Sequence, residues 1–227
     1  MCIVTYSPCK SGFIFTSSRD ESIHRSTEKP GFHKHESDML FYAKDLQKGG
    51  TWFAIDVRGQ KLCCLLNAAQ HNIQKNNLKS RGLIPIIGLS TSSHQKLIKT
   101  LPYVLITVDF SSQPYLKQTR NCGMLHTTAI KSGEKSDLWA SNNLYESSEI
   151  EAFKKKWASL KEEKSPSLVK QFHDESAQKC NSQIYKRKNA DIMTVSTTTL
   201  IKTNSRFELH HQNRMTNKTT VVDFNKN

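Results

Sequence analysis

Apolar residues in this chain fall mainly into short runs that predict β-strands. Residues 3–6 and 13–16 form two such runs, and the polar stretch 7–12 between them has the pattern of a β-hairpin turn. The hairpin would bring the start of the chain to the same sheet edge as the polar cluster 18–21. Residues 62–67 form an apolar run without alternation, which is typical of a strand buried on both faces.

The remaining pattern predicts the other elements of an α+β fold. Further strands are expected at residues 51–56, 103–109, 115–119, 125–130, 137–143, 192–201, 207–211 and 219–224. Helices are expected at 93–101, 148–161 and 165–172, the second of them with a capping box of Ser148 and Glu151. The polar stretches 22–38 and 178–190 are predicted to be loops. Strands at both ends with helices between them indicate one α+β domain over residues 1–227.

Composition narrows the functional classes. The net charge is +13 over 227 residues, but no nucleic-acid-binding motif accompanies it, so a solvated basic surface is the preferred interpretation. The six cysteines include no C-x-x-C pair, so we expect no structural metal site. No signal peptide and no apolar run long enough to cross a bilayer is found. We therefore expect a soluble, cytoplasmic protein without a transmembrane segment, in a reducing compartment.

Cys2 is the first candidate for chemistry. Removal of Met1 would leave Cys2 with both a thiol and a free α-amine, whose ordinary pKa is about 7.7–8.0 and which can take the proton of the thiol. Arg19 and Asp20 would stand near this chain end if the hairpin forms. The alternative is that Cys2 is a small buried apolar residue of a strand. Asn67, at the end of a buried strand, could offer an amide donor to a site or cap its own backbone.

Seven blocks of sequence, in order along nearly the whole chain, resemble the NRDE family, also called the transport and Golgi organisation family. They are MCIVTY at residues 1–6, FTSSRDE at 15–21, GGTW at 49–52, CLLN at 64–67, SRGL at 80–83, WASNNLY at 139–145 and MTVS at 193–196. The resemblance is to the shorter, bacterial-type members. It implies a four-layer αββα sandwich of two antiparallel sheets, as in the N-terminal nucleophile hydrolases.

The resemblance also implies site residues. Cys2 would be the nucleophile and its amine the base, Asp20 would hold the amine, and Arg19 would polarise the thiolate. Asn67 and Asn142 would supply amides to the oxyanion. The implied activity is hydrolysis of a linear C–N amide bond of a small molecule through a thioester on Cys2, without a cofactor.

Two positions depart from the pattern of the family and its relatives. Ser18 stands where the family motif has asparagine, and Val195 stands where the related hydrolases have a late arginine. The second departure motivates an alternative: a non-catalytic binding or trafficking protein that uses the same pocket for haem or an acyl-type metabolite. Cys2, His71 or His126 would then be the candidate axial ligands of haem. An RNA or membrane-surface partner attracted by the positive charge is the weakest hypothesis.

Overall fold

The computed structural model describes residues 3–68, 78–90, 100–122, 126–161, 163–188 and 191–225. In chain order these form β1 (Ile3–Cys9), β2 (Gly12–Ser22), β3 (Gly31–His35), β4 (Asp38–Tyr42), β5 (Phe53–Asp56), β6 (Lys61–Asn67), a 3₁₀ turn (Arg81–Leu83), α1 (Ile84–Leu89), β7 (Tyr103–Asp109), β8 (Tyr115–Asn121), β9 (His126–Ser132), β10 (Asp137–Ala140), α2 (Ser147–Ser159), α3 (Pro166–Lys188), β11 (Ile192–Thr203), β12 (Phe207–Asn213) and β13 (Lys218–Asp223).

The chain divides into two compact units. One unit joins Met1–His24 to Glu134–Asn227, and the other is Arg25–Gly133. Each unit contains one antiparallel sheet, of six strands in the first and seven in the second. The predicted α+β class with two antiparallel sheets is therefore confirmed. The assignment of residues 1–227 to a single domain stays a prediction.

Strand β2 lies inside the first sheet, whose order is β10-β1-β2-β11-β12-β13. It pairs with β1 on one side and with β11 on the other. The predicted hairpin is confirmed, with longer strands than expected and Ile3 directly opposite Ser18. The first described residue of the chain therefore lies one position away from Arg19 in the register. This is the feature that makes this end of strands β1 and β2 a candidate site.

Helices α2 and α3 pack on one face of this sheet. Phe153 and Trp157 of α2 and Phe172 of α3 join Ile3 and Ile14 in one apolar core. Such contacts stabilise the helices because most helical stability in proteins comes from burying an apolar stripe.

Two helix boundaries differ from their predictions. The capping box of α2 is formed by Glu146 and Glu149, not by Ser148 and Glu151. The Glu149 carboxylate accepts a hydrogen bond from the Glu146 backbone N–H at 2.8 Å. The predicted loop at 178–190 is wrong as far as Lys188, because α3 continues to that residue. Its lysines, glutamines and arginine are good helix formers, so a polar composition there did not mean a loop.

The second sheet is a meander in the order β3-β4-β5-β6-β7-β8-β9. Its core on one face combines α1 with alternate residues of the central strands, among them Leu65 and Leu105. The predicted loop at 22–38 is wrong over Gly31–His35, which pairs with β4 as an edge strand. The predicted helix at 93–101 falls outside the described residues, except for its last two. The strand predicted at 137–143 ends at Ala140.

Two of the sequence blocks meet at a glycine contact in the second unit. The backbone N–H of Thr51 donates to the carbonyl oxygen of Gly82 at 2.8 Å. A Cβ atom on Gly50 would lie 2.5 Å from the carbonyl carbon of Gly82, closer than real Cβ atoms come to backbone. Only glycine at position 50 permits this approach.

Candidate active site

Arg19 and Asp20 leave strand β2 on opposite faces of the sheet. Successive side chains of a strand alternate between faces, so Ser18 and Asp20 share the face on which α2 and α3 pack, here called the helix face. Ser17 and Arg19 share the other, here called the opposite face. All four side chains are buried, with at most 3% exposure. The structure therefore brings Arg19 and Asp20 to the same end of the strand but not to the same side of the sheet.

Asp20 is held through both carboxylate oxygens. The Tyr145 hydroxyl donates to Oδ2 and the Thr194 hydroxyl donates to Oδ1, each at 2.6 Å. Tyr145 is placed by a tight turn after β10, in which its backbone N–H donates to the carbonyl of Ser141 at 3.0 Å. An ionised carboxylate offers about four acceptor positions, so two donors leave room for an ammonium group. The arrangement orients Asp20 without using up its capacity as an acceptor.

His173 connects α3 to strands β1 and β2 through hydrogen bonds. Its Nε2 lies 2.9 Å from the Thr5 hydroxyl and its Nδ1 lies 2.7 Å from the Ser18 hydroxyl. Burial and, to a lesser extent, the charge of Arg214 lower the pKa of His173, while Asp174 acts in the opposite direction; the net pKa is about 3. The imidazole is therefore neutral at neutral pH. One of its hydrogen bonds holds Ser18 in position directly before Arg19, and the other anchors the ring to Thr5 of β1.

A second neutral histidine lies on the opposite face. The Nδ1 of His211 is 2.9 Å from the Thr198 hydroxyl, and the side chain is 4% exposed. Burial lowers the pKa of His211 to about 4, and the positive charge of Arg19 contributes in the same direction. By the strand register, His211 and Arg19 lie on the same side of the sheet, so this buried face has both a guanidinium and an uncharged imidazole.

The bulge in β11 lies beside these residues. The pairing of β11 with β2 shifts between Thr194 and Ser196, so Val195 is the extra residue between the partners of Asp20 and Arg19. β-Bulges re-aim side chains and are frequent next to active sites. The Val195 carbonyl accepts the backbone N–H of Arg214 at 2.9 Å. Val195 itself brings no charge to the position at which the related hydrolases have an arginine.

Arg214 is a late arginine that the sequence search did not consider. Its Nε donates to the Thr197 hydroxyl at 2.9 Å, and its guanidinium also pairs with Asp174. Thr197 lies opposite Ser18 in the register, which places the guanidinium on the helix face beside α3. Arg214 therefore links β11 to α3 rather than standing beside Arg19.

The two candidate oxyanion amides occupy different environments. Asn67 is the last residue of β6, is 9% exposed, and shares by alternation the strand face of Cys63 and Leu65, on which α1 packs. Asn142 lies in the turn after β10 and is exposed. Asn67 and Asp20 belong to different units of the chain. Their roles at the oxyanion stay predictions.

Cys2 lies outside the described residues. The same is true of His71 and of the side chain of His126, the other candidate haem ligands. Over the described part of the chain, no group of three metal-ligating side chains is found. No helix in that part is long and apolar enough to cross a bilayer.

Besides His211 and Arg214, three residues on the helix face were missed at the sequence level. Tyr145 and Thr194 belong to blocks that carried the family resemblance, and the hydroxyl that each could donate was the available signal. Nothing in the sequence around His173 distinguishes it from other helical residues. Its role depends on the packing of α3 against β1 and β2, which are about 160 residues away along the chain.

Comparison with solved structures shows the fold. The chain is similar to penicillin V acylase from Agrobacterium tumefaciens, with a TM-score of 0.54, 9% identity, and coverage of 100% of this chain and 87% of that chain. The N-terminal nucleophile hydrolase-like fold is thereby confirmed. A search of curated proteins gave no match. The Transport and Golgi organisation 2 family matches residues 1–226. The chain therefore belongs to the Transport and Golgi organisation 2 family.

Proposed function

We propose that this protein is an N-terminal cysteine hydrolase that cleaves a linear C–N amide bond of a small molecule through a thioester on Cys2. The observation that carries the proposal is the buried Asp20 carboxylate, held by Tyr145 and Thr194 at the end of the hairpin where the chain begins. Ile3, which follows Cys2 in sequence, pairs with Ser18, which precedes Arg19. The fold, similar to that of a penicillin V acylase, supports the same reaction class.

The first step of the proposed mechanism is proton transfer within residue 2. After removal of Met1, the free α-amine takes the proton of the Cys2 thiol, and Asp20 stabilises the ammonium that results. Arg19 favours the thiolate electrostatically. The thiolate then attacks the amide carbon, and the carbonyl oxygen becomes an oxyanion, to which Asn67 and Asn142 donate in this proposal.

Collapse of the tetrahedral intermediate breaks the C–N bond. The ammonium returns a proton to the leaving nitrogen, so a neutral amine departs and an acyl thioester remains on Cys2. The free amine then takes a proton from water, and the resulting hydroxide attacks the thioester carbonyl. Collapse of this second tetrahedral intermediate breaks the C–S bond, and the ammonium returns its proton to the Cys2 thiolate. The overall products are a carboxylic acid and an amine, and the thiol is restored. No redox partner is required.

The experiment combines intact mass with acyl p-nitroanilides as probes. We expect the mass of the purified protein to lack Met1, nitroaniline to be released, and the acyl group to be trapped on residue 2. Cys2→Ala should abolish both release and acylation. Cys9→Ala is the matched control, because Cys9 is a half-buried thiol of the same hairpin, and it should leave turnover unchanged. Retention of Met1, or turnover that survives in Cys2→Ala, would refute the proposal.

The second candidate function is non-catalytic binding of haem or an acyl-type metabolite at the same place. It is favoured by Val195, because no arginine of β11 stands beside Arg19. Titration with haemin separates the two functions. A saturable Soret shift that is lost in Cys2→Ala, together with no acylation by any p-nitroanilide, would support binding instead of hydrolysis.

A further inference from the structure

Two rows of polar side chains cross the opposite face of the first sheet at the end nearest the chain start. In one row, Ser17 of β2 lies opposite Thr198 of β11, which lies opposite His211 of β12. In the next row, Arg19 lies opposite Ser196. Residues directly opposite each other in antiparallel strands point to the same side, so these five side chains form one polar surface.

The same face is apolar one row farther from the chain start. Phe15 lies opposite Leu200, and Leu200 lies opposite Leu209, and all three are at most 1% exposed. An apolar row is the ordinary composition of a buried sheet face. The polar rows are therefore confined to the end of the sheet at which β1 begins with Ile3. The proposed nucleophile, Cys2, is the residue directly before Ile3 in the sequence.

Two hydroxyls of this surface have no hydrogen-bond partner among the residues that the structure describes. They are Ser17 Oγ and Ser196 Oγ, in side chains that are 1% and 3% exposed. By contrast, the neighbouring Thr198 hydroxyl is bonded to His211. A buried polar group without a partner costs about 1–3 kcal/mol, so two on adjacent rows call for an explanation.

Charge indicates what would bind there. Arg19 contributes a permanent positive charge to the face, and His211 stays neutral beside it. The unpartnered groups are hydroxyls, which can donate to an acceptor. A guanidinium and two hydroxyl donors together match a group that carries negative charge on more than one oxygen. Because the side chains are almost fully buried, only a small group would reach them.

We propose that Ser17, Ser196 and Arg19 form a subsite for a carboxylate of the substrate, next to the amide that is cleaved. The inference rests on the proposed function, because it takes the polar rows to face the bound substrate. It adds a substrate class: small amides that carry a carboxylate on either the acyl side or the amine side. The hydroxyls of Ser17 and Ser196 are satisfied only when this carboxylate is bound.

The test is carried out in full-length Cys2→Ala protein, so that binding is measured without turnover. N-acetylglycine carries the carboxylate on the amine side, N-methylsuccinamate carries it on the acyl side, and N-acetylglycinamide is the uncharged control. We expect calorimetry to detect at least one of the two acids and not the control. Ser17→Ala and Ser196→Ala should each weaken binding about 5- to 10-fold, the equivalent of one hydrogen bond.

The ligand-free melting temperature gives an independent readout. Removing an unpartnered buried hydroxyl should raise the melting temperature of both serine variants. Thr198→Val is the matched control on the same face, and it should lower the melting temperature because the bond to His211 is lost. If both serine variants melt lower, the hydroxyls already have partners and the proposal is overturned. Absence of binding by both acids, or equal binding of N-acetylglycinamide or inorganic phosphate, also overturns it.

Failure of this subsite and failure of the hydrolase are distinguishable. Acylation of Cys2 by uncharged p-nitroanilides, with serine variants that bind the acids normally, would retain the enzyme and remove the subsite. Serine-dependent binding of an acid without any acylation of Cys2 would retain the carboxylate site and remove the hydrolase.

Discussion

The two faces of strand β2 differ in how completely folding satisfies their polar side chains. On the helix face, both ring nitrogens of His173 and both carboxylate oxygens of Asp20 are hydrogen-bonded. On the opposite face, the hydroxyls of Ser17 and Ser196 have no partner among the described residues. Both faces are equally buried, so exposure to water does not explain the difference. One face is completed by the protein itself, and the other retains donors for a ligand.

This contrast shows how neighbouring residues of one strand can serve different purposes. Because side chains alternate, Asp20 can be fixed by helices and turns without affecting the surface around Arg19. Interactions on the helix face contribute to stability, whereas the hydroxyls of the opposite face that have no partner among the described residues reduce it. The comparison therefore predicts opposite signs for substitutions at adjacent positions.

The largest expected effect is on stability as a function of pH, because each face contains a buried neutral histidine. The folded-state pKa is about 3 for His173 and about 4 for His211, whereas an unfolded histidine has a pKa of about 6.5. Below about pH 6.5 the unfolded chain takes up protons that the folded chain refuses. The free energy of unfolding should therefore fall by about 1.4 kcal/mol per pH unit for each histidine between about pH 6 and pH 5.

Urea unfolding at pH 7, 6 and 5 measures this slope. His24→Ala is the control, because His24 is 73% exposed at its side chain and bonds only weakly with Asp191 at 3.3 Å, so the slope should persist in this variant. A free energy of unfolding that is constant between pH 6.5 and pH 5 would mean that the folded chain protonates the two histidines as readily as the unfolded chain does, so that burial keeps neither of them neutral.

Much of the fold could be predicted from the sequence, because it depends on local patterns. The hairpin of β1 and β2 was predicted from two apolar runs and a polar turn, and the register with Ile3 opposite Ser18 follows. The length of α3 was not predicted, because residues 178–190 are polar and strongly basic, a composition that is common in loops. The edge strand β3 was not predicted either, because it lies in a polar stretch rich in histidine and lysine, a composition that is typical of loops.

The site was less predictable, because its contacts join distant parts of the chain. Arg19 and Asp20 were identified from a local block of sequence. That they lie on two different faces of the sheet could be determined only from the strand register. In the block at residues 139–145, the sequence analysis singled out Asn142 for the oxyanion, and that role stays a prediction. It did not single out Tyr145, whose hydroxyl donates to Asp20. An amide is the more familiar donor to an oxyanion, and a phenol at the end of a turn gives no periodic signal.

An effect of intermediate size on the free energy of unfolding is expected when the Tyr145 hydroxyl is removed. This variant tests whether the hydrogen bonds of the helix face stabilise the fold. Tyr145→Phe takes away one of the two donors to the buried Asp20 carboxylate, at 2.6 Å, and leaves the aromatic packing against Phe153 in place. Hydrogen bonds to charged groups contribute about 1.5–3 kcal/mol, so the free energy of unfolding should fall by about 2 kcal/mol.

Tyr115→Phe provides the matched comparison. The Tyr115 hydroxyl also donates to an aspartate, Asp109, but at 3.3 Å and from a side chain that is 41% exposed. Its removal should change the free energy of unfolding by less than about 0.5 kcal/mol. Equal losses in the two variants would show that burial of Asp20 adds nothing to the bond, contrary to the comparison of faces.

The smallest expected effect separates the two faces most directly, because it concerns adjacent residues of β2. Thr16 is on the helix face, and its hydroxyl lies 3.0 Å from the hydroxyl of Thr199 on β11. Thr16→Val and Thr199→Val should each lower the free energy of unfolding, and the double variant should lose less than the two losses added. A double-mutant cycle should give a coupling of about 0.5–1.5 kcal/mol.

Ser17→Ala, one position along the same strand, should raise stability and show no coupling to Thr199→Val, because its hydroxyl has no partner among the described residues and points to the other side of the sheet. A negligible coupling between Thr16 and Thr199 would mean that their contact contributes no more than the isolated hydroxyl of Ser17. The polar side chains of the helix face would then be no better paired in the folded protein than those of the opposite face. The hydroxyls of Ser17 and Ser196 would no longer indicate a ligand.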